Sequence, residues 1–401
     1  MPLAAGEPVT LLDAMQQGAD QLERVTVHQM HGLHDRPFLH GTNHGHLDYC
    51  SYFLSPVTRA AFLERACELV PCHFSEVPRL LRRLPDPKLV VASASPMDRH
   101  GYFSLGTNAD YVAAFIGQVP FFIEANAQMP RTFGRNQLHV SQTVGWTEVD
   151  YPLFDLPPVE PTDIDHRIAA HIAERIPDGA TIQAGIGSVP NAVFEQLRDH
   201  HDLGIHTELL SDGVIDLVER GVVTGTRKVR RPTKVVGTFA LGTRRLYDFL
   251  HENAVVELLP VDWVNDPRII SSEHHFVSIN ATLEIDLLGQ AASETLNGRY
   301  YSGSGGQADF ARGAMWSEAG QGFIVLHSTT HDGAVSRIAP QLPAGSVVTT
   351  LKNTVDNIVT EYGVAELRGR SVSERARALV AIAHPKFRDE LTARAREFGY
   401  L

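Results

Sequence analysis

The stretch "GSVPNAVFEQLRDHHDLGIHTELLSDG" (residues 187–213) sets the architectural question for this chain. It opens on a glycine turn with Pro190 in the first helical turn, where proline's fixed φ and missing N–H do no harm. A helical run follows, and then a short apolar segment. That segment, "IHTELL", carries one acid among Ile205, Leu209 and Leu210. Read as one strand, Ile205, Thr207 and Leu209 share a face, while His206, Glu208 and Leu210 share the other. The strand then breaks at "SDG" (211–213). Burying an unpaired carboxylate is costly, so Glu208 needs a reason. It either caps a neighbouring backbone or pairs with an arginine, or it borders the ligand crevice found at strand ends in open α/β sheets.

Alternation extends outward in both directions. "VTVHQM" (25–30), "KLVVASAS" (88–95) and "FFIEAN" (121–126) read as buried strands, with helical runs over 58–70 and near 109–116. Strand and helix in alternation point to parallel sheets covered on both faces. The segment "DYPLFDLPPVEPTD" (150–163) packs four prolines close together. Proline removes backbone donors and disfavours helix before it, so an extended linker is expected there. Two domains follow, 1–156 and 157–401. The second opens with a helix carrying Ile164, Ile168, Ile172 and Ile176, capped by Thr162 or Asp163. It continues with strands in "ATIQAG", "VVGTFALG", "VVELLP", "FVSINATLEIDLLG", "GFIVLHS" and "SVVTT". Ser371 and Glu374 form a capping-box signature for a last amphipathic helix that stops before Pro385.

Bulk properties remove several function classes. The formal net charge is −12, opposite in sign to the basic footprint that nucleic acid requires. No apolar run approaches the ~18 residues of a membrane span. The start, "MPLAAGEPVT", has neither a basic nor an apolar signal region. Three cysteines, Cys50, Cys67 and Cys72, are too few for a disulfide framework and fit a reducing, cytoplasmic setting. The histidine clusters "NHGH" (43–46) and "EHH" (273–275) lack an i, i+4 ligand pair, so no metal site is expected.

Two glycine loops carry the chemical signal. "QAGIGSVPNAV" (183–193) ends a strand and opens a helix. Its N–H groups and helix dipole favour an anion, although the third glycine of GxGxxG is missing and a plain sharp turn fits the pattern equally. "YSGSGGQADFARGA" (301–314) places Gly303, Gly305 and Gly306 before a helix from about Ala308. It does not match the G-x-S-x-G elbow, so a main-chain donor site is the better reading.

These motifs, in order with "LGIHTELLSDGVIDLV", "NATLEIDLLGQ", "SRIAPQL" and "VTEYGVAELRG", and with "CHFSEVP", "SPMDRHGYFSLG" and "EANAQMPRTFG" in the first half, resemble the acetyl-CoA hydrolase/transferase family. The likeness is greatest to its 4-hydroxybutyrate CoA-transferase branch and spans nearly the whole chain. The resemblance implies two open parallel-sheet α/β domains of the CoA-transferase type, with the active site between them. It implies that Glu208, in the C-terminal domain, is the nucleophile, and that the main-chain N–H groups of Val189 and Gly306 form the oxyanion hole. It places CoA along Gly185, Ile186, Gly187, Ser188 and Val189, at Leu283 and at Gly306. It further implies a homodimer acting on acyl-CoA and short-chain carboxylates, with coenzyme A as substrate and no permanently bound cofactor. Family members begin with a further strand and helix, so this chain is expected to start short.

The expected reaction is CoA transfer between a short-chain acyl-CoA (acetyl-CoA or 4-hydroxybutyryl-CoA) and a carboxylic acid, through a glutamyl-CoA thioester. An acyl-CoA hydrolase using the same glutamate is the alternative. A sugar-phosphate isomerase or a ligand sensor on a related fold is the more distant one. His46, Asn126, Gln128 and His331 are candidates for the pocket lining.

Overall fold

The computed structural model describes residues 1–401. The chain forms two compact units. The first comprises Met1–Pro157, Glu208–Asp212 and Lys234–Asn265, and the second Pro158–Thr207, Gly213–Thr233 and Asp266–Leu401. The break at 157/158 falls inside the proline-rich segment, where residues 150–162 carry no regular secondary structure. The linear division at 156/157 does not describe the whole path, however, because two later segments return to the first unit. The physical reason is strand pairing. Leu209–Leu210 runs parallel to Phe239–Ala240, and Val235–Gly237 pairs with Val256–Leu258, which itself pairs with Phe133–Gly134.

In the first unit, parallel sheets join Val25–Gln29, Leu47–Ser51 and Glu68–Leu69, and Val90–Ala94, Phe121–Asn126 and Thr143–Val149. The strands expected near 25–30, 88–95 and 121–126 are all present. One core gathers Leu12, Val27, Phe38, Leu47, Tyr49 and Ala61. Glu124 is fully buried in its strand, and burial pushes its carboxyl up. It is tolerated because it accepts the Leu11 N–H at 2.8 Å and the Tyr151 hydroxyl, which ties the first turn of the helix Val9–Gln17 to the sheet.

Two helices differ from expectation. The run 58–70 is helical only as Pro56–Leu63, under a Ser55–Thr58 capping box. Arg65 takes a left-handed φ of 61°, which ends the helix and frees Glu68–Leu69 to become an edge strand. Around 109–116 only a 3-10 turn, Ala113–Phe115, forms. Asp110 instead spends its carboxylate on the Val112 N–H at 2.7 Å, and both Ala109 and Asp110 donate to the Thr238 carbonyl.

The second unit is built on a six-stranded sheet. Its order is Gly204–Ile205, Thr181–Ala184, Phe276–Ala281, Gln321–Val325, Asn357–Thr360 and Gly363–Glu366. The first five are parallel and the last antiparallel. Helix Asp163–Ala173 precedes it with a Thr162–Asp165 capping box, burying Ile168 and Ile172, while Ile176 is buried just beyond its end. Helix Val372–Ile382 has the Ser371–Glu374 box and buries Ala376, Leu379 and Ile382 against Ile324, Ile358 and Leu367. "SVVTT" is not a strand. Thr350 makes a single bridge to Ala291, and Val347 donates to the Thr295 hydroxyl, so the segment braces its neighbour instead of extending a sheet.

Gly134 gives a sharp test of the returning strand. Its φ is +128°, and a Cβ there would lie 2.0 Å from the Leu258 carbonyl oxygen. Gly134→Ala is expected to destabilise the protein by more than about 2 kcal/mol, from backbone strain and the broken pairing. Urea denaturation against the wild type measures this.

Candidate active site

Glu208 does not sit inside one strand. The segment read as "IHTELL" is two short strands, Gly204–Ile205 and Leu209–Leu210, with a bend at Glu208. The first belongs to the six-stranded sheet and the second pairs with Phe239–Ala240, so the backbone must turn between them. Simple face alternation therefore fails at the acid itself.

Main-chain bonds set the position of the bend. The Glu208 carbonyl accepts the N–H groups of both Thr238 and Phe239, each at 3.0 Å. The Thr238 hydroxyl donates to the Leu259 carbonyl at 2.7 Å, and Ala240 N–H donates to Thr107. Downstream, Asp212 accepts the Thr243 N–H at 2.9 Å and the Thr243 hydroxyl, anchoring the strand's far end at the start of the helix Arg244–Leu250.

The carboxylate is held separately. Asn265 Nδ2 donates to Glu208 Oε2 at 2.8 Å. Asn265 is fully buried, caps the short helix Val261–Val264, and donates its own N–H to Val261. Its Oδ1 is buried and accepts no hydrogen bond. Leaving an acceptor unmet costs about 1–3 kcal/mol, so the amide orientation is set by the acid it serves. Glu208 is half-buried.

The second unit holds the other expected residues. Gly185 follows the strand Thr181–Ala184 and donates to the Ile279 carbonyl. Ile186 is exposed, and Gly187, with φ +132°, caps the helix Ser188–Gln196, which begins two residues before Pro190. Ser188 and Val189 thus lie in the first turn, whose N–H groups have no partner within the helix. Gly306 caps the helix Gln307–Trp316, close to the start expected at Ala308, and its carbonyl accepts Phe310 N–H. Leu283 is half-exposed in the turn after Phe276–Ala281, outside the strand core.

Three lining candidates make hydrogen bonds within the protein. The Asn126 amide is spent on Gln128 and Tyr151. Gln128 bridges Asp150 and Arg244 at 2.7 Å each, and His46 binds the Leu22 carbonyl. His331 is exposed on a hairpin. The clustered histidines also pair singly, His44 with Asp48 and His274 with Glu318. Asn265 was missed by sequence reasoning: it looks like an ordinary residue ahead of an Asp-Pro turn, and only the fold brings it to Glu208.

The acetyl-CoA hydrolase/transferase N-terminal domain matches residues 2–159, and the C-terminal domain of the same family matches 242–395. The chain belongs to the acetyl-CoA hydrolase/transferase family. Within it, the chain is 44% identical over 401 residues to succinyl-CoA:cyclohexane-1-carboxylate CoA transferase of Geobacter metallireducens, covering 99% of this chain and 91% of the relative. It is 41% identical to 4-hydroxybutyrate coenzyme A transferase of Clostridium kluyveri, covering 97% and 91%. RipA from Yersinia pestis superposes with a TM-score of 0.95 at 37% identity, covering all of this chain and 93% of that one. A 4-hydroxybutyrate CoA-transferase from Porphyromonas gingivalis gives 0.83 at 37% identity, over 98% and 92%. This family member is an enzyme of the CoA-transferase type. No helix is long and apolar enough to cross a membrane.

Asn265 offers a direct test of the site. Asn265→Ala is expected to slow CoA exchange about tenfold to a hundredfold, the cost of one hydrogen bond to a charged group, with CoA affinity retained. Asn265→Asp would set a second carboxylate against Glu208 and raise its pKa. The acid limb of the pH–rate profile should move to higher pH, which initial rates across a pH series will reveal.

Proposed function

We propose that this chain transfers CoA between a short-chain acyl-CoA and a carboxylic acid by ping-pong catalysis through Glu208. The hydrogen bond from the buried Asn265 amide to Glu208 Oε2 carries the reading. An acid on a bend, clamped through its main chain and aligned through one carboxylate oxygen, is oriented as a nucleophile should be.

The steps balance as follows. A Glu208 oxygen attacks the acyl carbon, the carbon–sulfur bond breaks, and CoA leaves as thiolate from a mixed anhydride. The thiolate attacks the glutamyl carbonyl, the anhydride carbon–oxygen bond breaks, and a carboxylate departs. The glutamyl-CoA thioester then reacts with a second acid by the reverse sequence. Each addition forms an oxyanion, for which the N–H groups of Val189 and Gly306 are the assigned donors. Losing one such donor typically costs about 10²–10³ in rate. CoA, lying along 185–189 and at Leu283 and Gly306, supplies binding energy remote from the reacting carbon. Acetyl-CoA and 4-hydroxybutyryl-CoA are the first donors to test, with the enzyme acting as a cytoplasmic homodimer without a resident cofactor.

A hydrolase reading has its own support, since the chain is 33% identical over 234 residues, 55% of its length, to acetyl-CoA hydrolase of Yarrowia lipolytica. Thiol release from acetyl-CoA, with and without added acids, separates the two. Release that is indifferent to acid favours hydrolysis, while acyl exchange that depends on the acid favours transfer.

Glu208→Ala is expected to abolish exchange while CoA still binds. Intact-mass analysis of the donor-loaded wild type should show a CoA adduct, and borohydride should inactivate that species by reducing the thioester. Retained exchange in Glu208→Ala would refute the assignment.

A further inference from the structure

Glu208 is held at two places, its carbonyl and one carboxylate oxygen, and the contacts behind both lead to one residue. Thr238 gives its N–H to the Glu208 carbonyl, and its own carbonyl accepts the N–H groups of Ala109 and Asp110, each at 2.8 Å. Asn265 gives its amide to Glu208 Oε2, ends the short helix Val261–Val264 and donates its N–H to the Val261 carbonyl. Val261 N–H in turn donates to the Asp110 carbonyl at 2.9 Å. The peptide groups on either side of the Asp110 Cα therefore support one device each. The preceding loop runs beside the same segment: Ala240 N–H donates to the Thr107 carbonyl at 2.8 Å, and Asn108 bridges Phe239.

This arrangement needs an unusual backbone at Asp110, whose φ is +32°. Asp and Asn are among the few residues with a side chain that enter the left-handed region. Glycine would enter it at less strain, so the carboxylate is accounted for by what it binds. Its Oδ1 accepts the Val112 N–H at 2.7 Å. Its Oδ2 accepts Asn108 Nδ2 at 2.8 Å and the Leu3 N–H at 3.3 Å. Asp110 and Asn108 are fully buried, and Leu3 is buried with them. Burial pushes the Asp110 carboxyl up to about 6, against the pull of these donors. The carboxylate thus fixes both flanks of its own backbone and ties the loop to the buried segment at Leu3. Asn108 closes the same knot by donating to the Leu3 carbonyl at 3.0 Å.

We propose that Asp110 is a positioning residue for CoA transfer: its carboxylate, held by Leu3, Asn108 and Val112, sets the loop that carries both supports of Glu208. The assignment rests on the reading of Glu208 as the nucleophile. Asp110 acts on it through Thr238 and Asn265.

Asp110→Asn keeps the size and the tolerance of positive φ, but its amide cannot accept from all three donors. At saturating acetyl-CoA, formation of the CoA adduct, followed by rapid quench and intact mass, should slow about tenfold to a hundredfold, the scale of a reacting group displaced by up to about 1 Å. Calorimetric affinity for CoA should stay within about twofold of wild type, which separates positioning from general damage. Crystal structures read the positioning without turnover. The Asn265–Glu208 hydrogen bond should be present in the wild type, and lost or split between rotamers in Asp110→Asn. If Asp110→Asn fails to fold by thermal melt, Asn108→Ala removes one of the three donors and should show a smaller loss of the same kind in the same measurements. An unchanged adduct rate, an equal loss of CoA affinity, or an Asn265–Glu208 bond kept as in the wild type overturns the proposal. If the wild type forms no adduct yet the variant loses that bond, the transfer reading fails while the positioning of Glu208 stands.

Discussion

The candidate chemistry depends on holding one carboxylate at a bend where the backbone changes sheets. A side chain on a bend has no ladder to orient it, and this one is oriented by two independent devices. The Glu208 carbonyl is clamped by two N–H groups from Thr238 and Phe239, and its carboxylate is held by the Asn265 amide. Neither device suffices alone. The clamp places the Cα but leaves the χ angles free, while the amide selects a rotamer only if the Cα is already in place. Each hydrogen bond is worth about 0.5–1.5 kcal/mol net, somewhat more to a charged group. That is enough to favour one conformer strongly, and too little to bury the acid without other reward.

The surrounding elements exist to keep those partners still. Thr238 stands between two short strands and is pinned by its hydroxyl to Leu259, while its carbonyl accepts Ala109 and Asp110. Asp212 fixes the exit of the acid's strand by accepting the N–H and hydroxyl of Thr243, the residue ahead of the helix Arg244–Leu250. Gly134 permits the approach to Leu258 that keeps the sheet of Val235–Gly237, Val256–Leu258 and Phe133–Gly134 together. The strands here are two or three residues long, so they are stabilised by side-chain caps and buried apolar contacts more than by ladder length.

The second unit follows a more regular plan. Parallel strands deliver successive loops to one edge, and the helices Ser188–Gln196 and Gln307–Trp316 both start right after a glycine. Buried carboxylates in this unit do not stand idle. Asp165 caps a helix and orients His327, and Glu361 locks Ser328. Paired in this way, their burial is offset by the hydrogen bonds they accept.

Much of this was legible in the residues. Hydrophobic runs marked the strands at 25–30, 88–95 and 121–126, the prolines marked 150–163, and Thr162 and the Ser371–Glu374 pair announced helix starts, because each is a local preference read within a few residues. Glu208 stood out as an acid in apolar company, and the ordered motifs pointed to the family. Tertiary structure alone decided the rest. It split "IHTELL" between two sheets, returned 208–212 and 234–265 to the first unit, kept 346–350 out of any sheet, and brought Asn265 to the acid across 57 positions of sequence. Hydrophobic period and capping are near-neighbour properties that a sequence displays directly. Strand partnership and a side chain's hydrogen-bond partner depend on which distant segments share a core, and no local pattern encodes that.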